Sequence, residues 1–278
     1  MAKDKHRTAE FWNEHAHPFY SYKRRTAYCD EFLRRAKIKP GETVLDMGCG
    51  SGTLCIPLSD EGHEVFCADF SQGMLNTVEE VIATEGITNL KTKLLSWEDD
   101  WEAAQIPICD VAIASRSLLA EDIEDAVAKL DAHAKRRVCI TTRAQGDVCW
   151  TNRVEAFLGR PSPSTFDFAR VVKAALDLGR MVEVDYMIDR RVDIFPTKEA
   201  LIEHLKHKAK HIDSFDIPKF EEYCNMYIEE YKDENNPEMQ GWVCNDGAFS
   251  AWAFISWNKF IDDNDINKDI VFHSSEDA

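Results

Sequence analysis

Apolar residues in the first half of the chain fall into short runs that alternate with stretches of helical spacing. Val44-Leu45, with Thr43 before it, is a β-forming run that turns directly into a helix-like segment. Residues 64–69, 91–95, 109–115 and 138–142 repeat the pattern, with helical segments predicted over 53–61 and 122–134. Pro57 is tolerated in the first of these because it falls near the opening turn, where N–H groups have no intrahelical partner, and Gly62 caps its end. Five strands alternating with helices predict a parallel sheet with right-handed crossovers. A ligand of such a sheet sits at the carboxyl ends of the strands, where Asp46, Asp69, Ser96 and Ser115 all fall.

Residues 8–20 open with a helix stopped by Pro18, and residues 26–37 form an amphipathic helix with Tyr28, Phe32 and Leu33 on its apolar side, ending before Lys39-Pro40-Gly41. Beyond Arg143 the alternation fades: Pro161-Ser162-Pro163-Ser164 breaks the chain, 167–178 reads as helix, and 181–189 and 251–257 read as strands. Between those strands lies a mostly helical stretch, over 197–212 and 218–231, far longer than a hairpin loop. Its apolar residues Leu201, Leu205, Phe215, Phe220 and Tyr227 must be buried against something, either as an active-site lid or as an oligomer contact. The expected division is an N-terminal helical cap (1–40), a central α/β domain (41–190 with 241–260), a helical insertion (191–240) and an acidic tail (261–278) that frays.

The chain has 278 residues, 44% of them apolar, with no apolar run near the ~20 residues of a membrane span and no signal-peptide core at its start. A soluble, cytoplasmic protein without membrane association is therefore expected. Nine cysteines include no C-x-x-C pair, and Cys67, Cys109 and Cys139 sit in predicted strands, so they read as reduced, small buried hydrophobes. His204, His207 and His211 span about 60° of one helix face, but no carboxylate or cysteine stands at ligand spacing, and no metal is assigned. The net charge of −17 disfavours nucleic acid, since phosphate binding needs a basic stripe. The basic cluster Lys23-Arg24-Arg25 with Arg34, Arg35, Lys37 and Lys39 reads as the solvated face of one helix. With acids concentrated between Trp97 and Asp125, neutral or cationic small molecules are the better partners.

The chemistry concentrates in Val44-Leu45-Asp46-Met47-Gly48-Cys49-Gly50-Ser51-Gly52. Glycines at alternate positions let a ligand approach the backbone, and the turn leads to a helix N-terminus suited to a polar or anionic group. A dinucleotide fingerprint would need its third glycine at 53, which is Thr53; the spacing here is G-x-G-x-G, with Asp46 at the strand end. The nine residues resemble motif I of the class I S-adenosylmethionine-dependent methyltransferases, in the form VLDxGCGxG.

That resemblance implies an α/β, Rossmann-like fold: a mostly parallel seven-stranded sheet with an antiparallel last strand, here with a helical insertion. It implies S-adenosylmethionine as cofactor, held by the turn (Asp46, Gly48, Gly50, Ser51, Gly52) and by Asp69 on the ribose hydroxyls. Read without the family, Asp69 is equally a helix N-cap, a role Ser71 can fill. Phe70 and Met74 would flank the adenine, Ser96 would stand near its edge where many members have Asp, and Trp97 and Trp101 would wall the pocket or pack helix on sheet. Tyr28 and Ser115 complete the implied cofactor set, Tyr28 by reaching the cofactor carboxylate or by packing in the core. Phe11-Trp12-Asn13 resembles the opening of the ubiquinone/menaquinone-biosynthesis type, in which a nearby aromatic residue helps close the cofactor site. Residues 109–115 resemble the family's fourth strand, placing Arg116 and Ser117 at the reaction centre. Many relatives carry a histidine in the segment that follows, but Leu118-Leu119-Ala120 has none, which removes the most obvious general base. The N-P-P-[YF] motif of amino-methylating nucleic-acid enzymes and the Pro-Cys pair of cytosine C5 enzymes are also missing. The implied function is methyl transfer to a small-molecule acceptor; a protein or RNA methyltransferase, or a non-catalytic cofactor-binding module, are the alternatives. A second copy of the chain is a partner on the oligomer-contact reading of the insertion.

Overall fold

Two threonines begin the described chain's helices: Thr8 and Thr26 accept the N–H groups of Phe11 and Cys29 and cap α1 (Ala9–His15) and α2 (Ala27–Ala36). The computed structural model describes residues 8–16, 25–144, 150–160, 167–189, 193–209, 212–233, 240–247 and 250–259. Pro18, Lys23-Arg24, Pro161-Ser162-Pro163-Ser164, His211 and the acidic tail lie outside the described residues.

Strands β1 (Val44–Met47), β2 (Val65–Asp69), β3 (Leu90–Leu94), β4 (Cys109–Ser115) and β5 (Ala134–Arg143) are joined by α3 (Cys55–Asp60), α4 (Gln72–Glu85) and α5 (Ile123–Ala132). After α6 (Trp150–Phe157) and α7 (Asp167–Asp177) come β6 (Glu183–Asp189) and, at the end, β9 (Ser250–Asn258). The sheet order is β3-β2-β1-β4-β5-β9-β6, and β9 runs antiparallel to both its neighbours while the rest are parallel. This is the expected seven-stranded sheet with an antiparallel last strand.

Alternation along β1 explains the layers. Leu45 and Met47 enter a core with residues of α5 and α7, while Val44 enters the opposite core with Phe32 of α2, Ile56 of α3 and Val78 of α4. All four β1 residues are buried, as a central parallel strand requires.

Three elements differ from expectation. Helix α3 starts at Cys55, two residues late, because residues 51–54 are still turning behind Gly52. Strand β5 starts at Ala134, four residues early. The charged Lys135-Arg136-Arg137 hid this, but Arg137, 2% exposed, is satisfied across the sheet by Asn258 Oδ1 and Ser256 Oγ, both at 2.9 Å. The insertion is not wholly helical. Helices α8 (Lys198–Lys208) and α9 (Ile217–Tyr227) are followed by a hairpin of β7 (Ile228–Lys232) and β8 (Gln240–Cys244), so the helix expected to run to 231 stops at Tyr227.

The insertion has its own core of Leu201, Leu205, Phe220, Tyr223 and Cys244, joined by Val154 and Leu158 from the α6 region. That core reaches beyond residues 191–240 on both sides. Phe215, expected to be buried, is 90% exposed. His204 stacks on Phe195 at 4.8 Å and His207 lies 3.7 Å from Glu203; among the described residues no three-ligand metal group forms there. Since β6 ends and β9 begins at the carboxyl edge of the sheet, the insertion rises from the edge that carries the glycine turn. No described helix is long and apolar enough to cross a membrane.

Candidate functional site

The turn after β1 is stitched to its neighbours by backbone and by close packing. Gly48 and Cys49 donate their N–H groups to Ala68 O at 2.7 and 3.0 Å. Gly48 has φ +73°, and a Cβ there would lie 2.2 Å from Ser117 Cβ, so no other residue fits between β1 and β4. Gly50 has φ +55° with nothing within 4 Å of its missing Cβ, which leaves an open cradle at the mouth of the turn. Its N–H donates to Asp69 Oδ2 at 2.8 Å, and Asp69 Oδ1 accepts the Ser71 N–H at 2.9 Å. Ser71 is also the α4 N-cap, accepting the Met74 N–H, so Asp69 is spared that role.

Two carboxylates are buried at this edge. Asp69 is 5% exposed, and burial pushes its carboxyl up. Asp46 is 1% exposed; the Cys55 N–H faces its carboxyl, but neither oxygen has a hydrogen-bond partner of ordinary geometry. Burial first, then the neighbouring Cys67 and Asp69, pushes its carboxyl well above the usual range. An unpartnered buried carboxyl costs about 1–3 kcal/mol or more, a penalty that a cationic ligand relieves.

At the same sheet edge, the end of β4 is held by hydroxyls. Tyr28 Oη hydrogen-bonds with Ser115 Oγ at 2.7 Å and Thr141 Oγ1 at 2.8 Å. Arg116 takes φ +57°, its N–H donating to Thr141 O at 3.0 Å, and its guanidinium lies 4.0 Å from the Tyr28 ring centroid and 5.6 Å from that of Trp252. No carboxylate pairs with it among the described residues. Ser117 Oγ donates to Met47 O at 2.7 Å, locking β4 to β1.

The sequence-derived residues therefore divide. Asp46, Gly48, Gly50 and Asp69 come together at the carboxyl edge of the sheet, Ser51 is buried within the turn, and Phe70 (half-buried) and Met74 (buried) follow Asp69. Tyr28 and Ser115 engage each other and brace Arg116. Trp97, 6% exposed, packs on Trp101 and donates its Nε1–H to Ser117 O at 2.9 Å; of the two readings for these tryptophans, core packing is the one observed. The Ser96 hydroxyl is engaged by Glu98. Asn13 was missed. Its Oδ1 accepts from Ser71 Oγ at 2.8 Å and from the Gly73 N–H at 2.9 Å, docking α1 beside Asp69. The signal was the pairing of that asparagine with Gly73, where a Cβ would meet Asn13 Cα at 2.9 Å.

A protein-family model described as a methyltransferase domain matches residues 44–137, the span from the glycine turn to β5. Residues 44–137 are thus similar to a methyltransferase domain. An uncharacterized protein of Haemophilus influenzae is 39% identical over 120 residues, covering 43% of this chain and 44% of that one. A demethylmenaquinone methyltransferase of Geobacillus kaustophilus is 32% identical over 75 residues, 26% of this chain and 32% of its own. The chain thus spans less than half the length of these two relatives. The solved YcgJ protein of Bacillus subtilis shares the fold, with a TM-score of 0.52 at 12% identity over 83% of this chain and 97% of that one.

The residues present fit S-adenosylmethionine, the cofactor that the resemblance of the glycine turn implies. Asp46 offers an unpartnered buried carboxylate for an ammonium group, Gly50 offers open backbone, and each Asp69 oxygen keeps a lone pair for a ribose hydroxyl.

Proposed function

We propose that the chain methylates a small-molecule acceptor in the cleft between the glycine turn and the Tyr28–Arg116–Trp252 stack. The observation that carries this reading is the pairing of the orphaned Asp46 carboxylate with the open backbone at Gly50, on the same sheet edge as Asp69. When bound, S-adenosylmethionine supplies a methyl group on a sulfonium whose departure needs no further activation. The residues of the chain then bind, orient and exclude water. Asp46 and Asp69 fix the two ends of the cofactor's polar surface. Tyr28, braced by Ser115 and Thr141, holds the Arg116 guanidinium over its ring, and that guanidinium offers several N–H donors to an acceptor oxygen. Ser117 ties the end of β4 to β1, with its proton directed to Met47 O. Leu118-Leu119-Ala120 offers no base, so the acceptor is one whose nucleophile attacks without prior proton removal by a histidine.

Net charge supports a small acceptor over RNA. The basic residues of α2 are already paired: Arg34 with Glu31 at 2.8 Å, Arg35 with Asp185 at 2.6 Å, and Arg25, just before it, with Glu61 at 2.5 Å. The test incubates the full chain and methyl-labelled S-adenosylmethionine with separated small-molecule, RNA and protein fractions of a cell extract. S-adenosylhomocysteine should accumulate with the small-molecule fraction. Turnover with the RNA or protein fraction alone would overturn the reading, and turnover with none of them would leave a binding module in its place.

A further inference from the structure

Beneath the cofactor turn, on the sheet face covered by α2 and α3, three cysteines from separate elements meet. Cys49 lies in the turn, Cys55 opens α3, and Cys67 sits in the middle of β2. Their sulfurs all lie within 4.8 Å of one another, and all three residues are buried. Among the described residues this is the only group of three or more potential metal ligands. Their sequence spacing gives no C-x-x-C signal, and only the β1-turn-α3-β2 path brings them together.

The ordinary reading of buried cysteines as small hydrophobes holds for the others. Burial pushes the thiols of Cys29, Cys139 and Cys224 up to about 11. Cys67 is set apart from these by its company, with the Cys49 and Cys55 thiols both directed at its sulfur. Three sulfurs aimed at one another favour a shared positive centre.

We propose that Cys49, Cys55 and Cys67 form a three-thiolate site for a thiophilic d10 cation of the Zn2+ class. Three sulfurs within 4.8 Å of one another can share a centre no more than about 2.8 Å from each; a zinc–thiolate bond is about 2.3 Å, so side-chain adjustments of about half an ångström or less bring the sulfurs onto the ion. Three soft sulfur ligands exclude Mg2+ and Ca2+. On binding, each coordinating thiol releases its proton to solvent and gives a sulfur lone pair to the ion, with no change of oxidation state. The bound ion ties the cofactor turn at Cys49 to α3 and β2. This site is independent of methyl transfer and stands whether or not the acceptor is small.

The test uses the reduced full chain, with Co2+ as spectroscopic probe and Zn2+ as competitor. A sulfur-to-cobalt charge-transfer band should grow to about one equivalent per chain and disappear on adding Zn2+. It should be lost in Cys55→Ser and in Cys67→Ser and kept in Cys109→Ser, whose thiol lies elsewhere. No band with folded wild type, or a band that survives in both site variants, overturns the proposal. Should those variants fail to fold, alkylation of the wild type in mild denaturant with peptide mapping decides. Zn2+ should slow labelling of Cys49, Cys55 and Cys67 about tenfold or more beyond any change at Cys109 and Cys139. Equal change at all five, or none, overturns it.

Discussion

Asp46 and Asp69 both lie at the carboxyl edge, yet burial leaves them in different states of satisfaction. Asp69 already accepts two backbone N–H groups, and its remaining lone pairs suit a diol; Asp46 accepts no hydrogen bond of ordinary geometry. Asp69→Ala should weaken S-adenosylmethionine binding by about 1.5–3 kcal/mol, the range for charge-assisted hydrogen bonds, with the fold retained; an unchanged calorimetric affinity would remove Asp69 from the site. Asp46 gives a pH dependence whose sign follows from its raised pKa. In the free protein burial favours the protonated carboxyl, while a cofactor ammonium favours the ionised one. Binding therefore expels a proton wherever the pH lies below the raised value, and affinity should climb as pH rises from about 4 through that window. Calorimetry in buffers of different ionisation enthalpy reads the released proton, and uptake in place of release would contradict the assignment. The glycines and the two carboxylates were legible in the sequence because their chemistry is local: a strand end, a turn, an acid. The roles of Ser117, Tyr28 and Asn13 were not, because each depends on a partner 58 or more residues away.

At the scale of elements, the five strands through β5 and the helices α3 and α5 could be read from hydrophobic periodicity, α4 was not assigned, and the boundaries failed where polar chemistry is satisfied at a distance. Arg137 inside β5 is the clearest case, and the β7–β8 hairpin is another: Glu229-Glu230 breaks any apolar run, while Phe195 pairs with Trp242 and Gly241 admits its carbonyl, a Cβ there lying 2.3 Å from Phe195 O. The insertion has its own core and rises from the carboxyl edge, which fits substrate choice better than cofactor binding. Replacing residues 193–247 by a short Gly-rich turn, with Val154→Ser and Leu158→Ser to avoid exposing the α6 contact, should keep S-adenosylmethionine binding within about tenfold while abolishing transfer to the small-molecule fraction. Normal methylation by a shortened chain that has changed from dimer to monomer would make the segment an oligomer contact.

For the whole molecule, the decisive quantity is its charge. With −17 overall and the α2 arginines ion-paired, tRNA and duplex DNA should bind no more tightly than about 10⁻⁴ M at physiological salt. Micromolar, salt-sensitive retention on a filter would favour an RNA acceptor instead. The central claim is that the edge shared by Asp46, Gly50 and Asp69 is an S-adenosylmethionine site and not a dinucleotide site, and calorimetric titration of the full chain with S-adenosylhomocysteine and, separately, NAD tests it most directly. Saturable binding of S-adenosylhomocysteine at about one equivalent, with no heat from NAD, is the predicted result. Binding of NAD in its place, or no binding of S-adenosylhomocysteine by the folded chain, would contradict it.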